Sequence, residues 1–123
     1  MSGEERGWEE LKEALKAFNA ARDWERFHTA KDLAMALAVE SGELLELYLW
    51  RGEAAAPAER VAEELGDVVL CILNYANRVG VNPLAAAWDK LERNGGKYPV
   101  ALAKGRADKW DVLAREQAQR GEE

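Results

Sequence analysis

Cysteine and histidine are almost missing from this chain, which holds one of each, Cys71 and His28, in 123 residues. A lone cysteine excludes an internal disulfide and any cysteine-built zinc site. A lone histidine argues against multi-histidine metal centres and leaves oxygen as the ligand chemistry still open. Cations are also short, 17 Lys and Arg against 23 Asp and Glu, and a net charge of −6 speaks against a general nucleic-acid-binding surface. No apolar run reaches transmembrane length, so no membrane association is expected. The start, Met1-Ser2-Gly3-Glu4-Glu5-Arg6, lacks the basic-then-apolar order of a signal peptide. The expectation is an acidic cytoplasmic protein, with residues 1–123 forming a single domain around one core.

Strand signals are nearly absent as well. Period-two alternation appears over no useful length, whereas Ala, Leu, Glu, Lys and Arg dominate. Only three prolines punctuate the chain. Together with the glycines they cut it into helical candidates near 5–20, 30–50, 57–79, 83–94 and 100–119. Thr29-Ala30-Lys31-Asp32 has capping-box spacing, Asn82-Pro83 is a start signal, and Gly95 is a stop for the helix before it. The pattern predicts an all-α bundle of four to five helices.

The two central helices carry the anomaly. On a helical wheel Leu33, Ala36, Leu37, Leu44 and Leu47 fall within roughly 60° of Glu40, with Glu43 at the stripe's edge. The opposite side, with Ala34, Met35, Ala38, Leu45 and Leu49, is nearly as apolar. A helix apolar all round is buried on several sides, and in a chain this small that points to a second subunit. In the next helix Asp67, Val68, Cys71 and Tyr75 share the face of Glu64. Each acidic pair, Glu40 with Glu43 and Glu64 with Asp67, is spaced three apart and projects from one side of its helix. Antiparallel packing would bring four carboxylates together, a costly arrangement that a hard divalent cation relieves. Glu pairs at this spacing are common on solvated faces. Two of them on consecutive helices, each inside an apolar stripe and without basic neighbours, are much less so.

Basic residues gather elsewhere. Lys90, Asn94 and Lys97 form one ridge if their helix persists through Gly95-Gly96, or else flank a loop; either form can meet a phosphate, although a solvated basic face has the same spacing. Five tryptophans are many for this length, and Trp24 and Trp50 lie at candidate helix ends, where an indole can stack on a base or seal a core. His28 suits capping or packing as readily as catalysis.

Taken together, these residues resemble the MazG-like all-α nucleoside triphosphate pyrophosphohydrolases, in particular the dCTP pyrophosphatase branch. The resemblance covers about Arg22 to Leu113. It rests on the run from Arg22 to His28, on Glu40-Ser41-Gly42-Glu43 with the Trp50 that follows, on Glu63-Glu64-Leu65-Gly66-Asp67, and on Asn94-Gly95-Gly96-Lys97-Tyr98-Pro99. It implies Mg²⁺-dependent hydrolysis of a nucleoside triphosphate, dCTP or a modified dCTP, to the monophosphate and pyrophosphate. It makes Glu40, Glu43, Glu64 and Asp67 the metal ligands, with Glu43 or Glu64 as the catalytic base. Lys90, Asn94, Lys97 and Tyr98 would meet the phosphates or sugar, and Trp24, His28 and Trp50 would line the base pocket. A homo-oligomer, dimer or tetramer, is implied too. The branch commonly carries Tyr where Cys71 stands, which bears on sugar selectivity. Rival readings are a relative acting on dUTP, phosphoribosyl-ATP or nucleoside triphosphates broadly, and a non-catalytic helical oligomer.

Overall fold

A computed structural model of the chain describes residues 7–50 and 56–122. Residues 5 and 6 of the first expected helix and the connection 51–55 lie outside the described residues. Among the described residues there are six α-helices, one 3₁₀ turn and no strand. Two compact units result, residues 1–83 and 84–123.

In the first unit, α1 (Trp8–Ala21) opens with Glu9 and Glu10, acids suited to the positive end of a helix. A 3₁₀ turn (Glu25–Phe27) leads to α2 (Ala30–Glu46). The Thr29 hydroxyl caps α2 by accepting from the Asp32 backbone N–H at 3.1 Å, as the sequence spacing predicts. The expected helix to Trp50 ends instead at Glu46. From Leu47 to Leu49 the backbone N–H groups bond three residues back, and Trp50 takes φ +64°, so the last turn tightens and stops. Helix α3 (Ala58–Val79) ends at Gly80, whose φ of +73° lets its N–H reach the Ala76 carbonyl at 2.9 Å.

Helices α2 and α3 pack antiparallel, for the end of α3 meets the start of α2 at Arg78 and His28. Leu33 of α2 and Leu47 just beyond its end, Leu73 and Ala76 of α3, and Leu15 of α1 are buried. Across the α1–α3 contact the buried Asn19 donates from Nδ2 to Asn74 Oδ1 at 2.8 Å. Much of the apolar surface of α2 stays open, with Met35, Val39 and Leu45 more than half exposed.

The second unit departs from expectation twice. Helix α4 (Pro83–Lys97) starts where Asn82-Pro83 predicts but runs through Gly95-Gly96. Neither glycine adopts positive φ, and the helix stops where Tyr98 precedes Pro99, a position biased away from helical backbone. The expected helix 100–119 is broken into α5 (Val100–Ala103) and α6 (Trp110–Glu122), with Gly105 at φ +76° between them. Arg106 ties this break down. Its Nε donates to Asp108 Oδ2 at 2.6 Å and its two terminal nitrogens grip the Glu116 carboxylate, which holds that carboxyl below the usual range.

Candidate active site

The antiparallel α2–α3 pair delivers carboxylates from both helices to one place. One oxygen each from Glu40, Glu43 and Glu64 lies within 4.8 Å of the others. Glu64 is buried, and Glu40 and Glu43 are half-buried. Like charges this close, drawn from water, favour the protonated form. Glu43 is accordingly shifted above the usual carboxylate range, chiefly by Glu40 through hydrogen bonding and repulsion, and burial adds to this. Glu64 is shifted up first by burial and then by the charges of Glu43 and Asp67. Asp67 does not belong to the three-carboxylate group, but its charge reaches both Glu64 and, one turn on, the Cys71 thiol. Burial, followed by Glu40 and Asp67, pushes that thiol up.

The donor set suits a metal. Glu40 Oε2 and Glu64 Oε2 are both buried without a hydrogen-bond partner, a state that costs free energy unless something binds there. All three side chains offer hard carboxylate oxygens, the ligands of a hard divalent cation. One basic neighbour does exist. Arg60, one turn before Glu64 on α3, places its guanidinium 3.7 Å from Glu64 Oε1. Sequence reading missed it, although the i, i+4 spacing was there to see. Arg60 also lines a cavity of about 290 Å³ with Glu43, Glu46, Leu47 and Glu64.

The other predicted residues are distributed as follows. Trp50 is fully exposed four residues beyond Glu46. Trp24 packs edge-on against Phe18 of α1, with ring centres 5.6 Å apart. His28 caps the 3₁₀ turn, and its carbonyl accepts from Arg78 Nε at 3.1 Å. Arg78 stands fourteen residues beyond Glu64 on α3, about 21 Å along the axis. Within one chain, then, the structure does not bring His28 to the acidic cluster.

In the second unit Lys90, Asn94 and Lys97 lie on one helical ridge, and the Asn94 carbonyl accepts from the half-buried Tyr98 N–H at 2.8 Å. The Lys97 charge, with Arg93 adding, holds Lys90 below the usual ammonium range. Crowded cations of this kind are relieved by an anion.

No family model matches the chain. It is 38% identical over 115 residues to the rat protein dCTP pyrophosphatase 1, covering 87% of this chain and 68% of that one. Human dCTP pyrophosphatase 1 is 37% identical over 113 residues, with 85% and 66% covered. Among solved structures, a pyrophosphatase from Archaeoglobus fulgidus DSM 4304 superposes with a TM-score of 0.71 at 32% identity, covering 80% of this chain and 98% of that one.

Proposed function

The chain belongs to the dCTP pyrophosphatase family of MazG-like all-α nucleoside triphosphate pyrophosphohydrolases, and from that membership we propose that it hydrolyses dCTP, or a modified dCTP, to the monophosphate and pyrophosphate. The observation that carries the proposal is the convergence of Glu40, Glu43 and Glu64 from two helices, with two buried oxygens left unpartnered.

Glu40, Glu43, Glu64 and Asp67 would hold Mg²⁺, which when bound neutralises charge that builds on the triphosphate as the α–β anhydride opens. Glu43 or Glu64 would take the proton of the attacking water. Lys90, Asn94, Lys97 and Tyr98 meet the phosphates or sugar and stabilise the departing pyrophosphate. Trp50 offers an exposed indole for stacking on the base. Trp24 and His28, carried to the base pocket by resemblance, stand near the opposite end of the α2–α3 pair. Residues 1–123 act as one pyrophosphohydrolase domain in the cytoplasmic nucleotide pool, assembled as a dimer or tetramer. The exposed apolar residues of α2 support that assembly.

A comparison of kcat/KM for dCTP, CTP, dTTP, dUTP and dATP with Mg²⁺ tests the substrate. The expected order puts dCTP first. A preference of about tenfold or more for dATP or dUTP overturns the cytosine assignment.

A further inference from the structure

The reaction proposed above gives Arg60 no part, yet Arg60 is the cation that stands at the acidic cluster. Among the described residues, no other ion pair involves Glu40, Glu43 or Glu64. A spacing of four along α3 sets the guanidinium beside Glu64, with 3.7 Å between an Arg60 terminal nitrogen and Glu64 Oε1. That separation is longer than a hydrogen bond, so the attraction is Coulombic and has no fixed geometry to lose. The two ends of the pair differ in their surroundings. The Glu64 side chain is 12% exposed and its Oε2 is buried without a partner, whereas the Arg60 side chain is 58% exposed. Beside the pair lies the cavity of about 290 Å³ that Glu43, Glu46 and Leu47 also line. The guanidinium can therefore withdraw without unpacking the helix pair, while the carboxylate stays among its neighbours.

A guanidinium stays charged and has no lone pair to offer a metal. It can offset the carboxylates, but it cannot join them in ligating a cation. We propose that Arg60 is a displaceable counter-charge, which holds Glu64 in place in the metal-free protein and moves away as a divalent cation binds. This role rests on the metal assignment above. Two effects of opposite sign follow from one charge. Without metal, Arg60 attracts Glu64 and offsets part of the repulsion among the three glutamates, so it stabilises the fold. Toward an arriving divalent cation it is a like charge, so it weakens metal binding. An ordinary surface ion pair would give the first effect alone.

Melting in chelator and Mg²⁺ titration calorimetry, both on the full chain without nucleotide, read the two effects separately. Arg60→Gln removes the charge and keeps a polar side chain. It should melt lower than the parent in chelator, yet bind Mg²⁺ about fivefold more tightly at low salt. Arg60→Lys keeps a positive charge within similar reach, and should stay within about twofold of the parent's affinity. In a Glu64→Gln background the melting loss caused by Arg60→Gln should largely vanish, because the partner carboxylate is gone. Unchanged or weaker Mg²⁺ binding by Arg60→Gln overturns the proposal. Equal tightening in Arg60→Lys, or a melting loss that persists with Glu64→Gln, overturns it too. A parent chain that binds no Mg²⁺ overturns the metal assignment as well, so the two failures are told apart.

Discussion

Glu40 on α2 and Glu64 on α3 present carboxylate oxygens within 4.8 Å of each other, yet each keeps its Oε2 buried and without a hydrogen-bond partner. The antiparallel packing that buries Leu33, Leu47 and Leu73 also brings the acidic faces of the two helices together. Fold stability thus holds together carboxylates whose mutual repulsion a bound cation would relieve.

Removing charge without removing volume isolates the effect. Glu40→Gln, Glu43→Gln, Glu64→Gln and Asp67→Asn are each expected to lower kcat/KM with saturating Mg²⁺ by about a hundredfold or more, while circular dichroism retains the helical spectrum. In the presence of chelator their melting temperatures should equal or exceed that of the parent, because one repulsive partner is gone. Four variants with near-parental turnover would contradict the assignment.

The pH dependence of apo stability follows from the same shifts. Glu43, raised chiefly by Glu40, and Glu64, raised chiefly by burial, bind protons more tightly folded than unfolded. Their contribution is fully present below the ordinary glutamate value and is lost as pH rises through the higher folded value. Chelated protein should therefore gain melting temperature from this cluster as pH falls toward the ordinary glutamate value. Mg²⁺ should flatten that dependence, and Glu43→Gln should remove part of it. Glu116, held low by Arg106, acts in the opposite direction, so the comparison of parent with Glu43→Gln is the decisive one.

Base and sugar contacts can be read kinetically. Trp50→Ala should raise KM much more than it lowers kcat, since stacking is made equally in ground and transition states. Cys71, half-buried one turn beyond Asp67, is smaller than the tyrosine common in the branch, so dCTP should be favoured over CTP only weakly. Cys71→Tyr should strengthen the preference. An unchanged dCTP-to-CTP ratio in that variant would remove Cys71 from sugar selection.

Self-association is expected at micromolar concentration, because Met35, Val39 and Leu45 leave the outer side of α2 apolar and open. Light scattering should return the mass of a dimer or tetramer, and Val39→Lys should lower it. A monomeric parent chain would refute the assembly.

The positions of α2 and α3 are legible in the sequence because apolar periodicity and local caps agree there: Thr29 caps α2 and Gly80 closes α3. The family was legible too, from acidic pairs whose spacing survives any error in helix boundaries. Glycines misled where their role was inferred from composition. Gly95 and Gly96 are merely tolerated inside α4, whereas Gly105 breaks the expected last helix with its positive φ. Long-range placement was the least legible. Nothing local announces that Arg78 will hold His28 far from Glu64, or that Asn19 and Asn74, fifty-five residues apart, will bond across α1 and α3. Those are consequences of packing.

The most direct test of the account is the identity of the products formed from dCTP. Incubation with Mg²⁺ should yield dCMP and pyrophosphate in equal amounts, with almost none formed in chelator or by Glu64→Gln. Release of dCDP and inorganic phosphate, or full turnover in chelator, would contradict it.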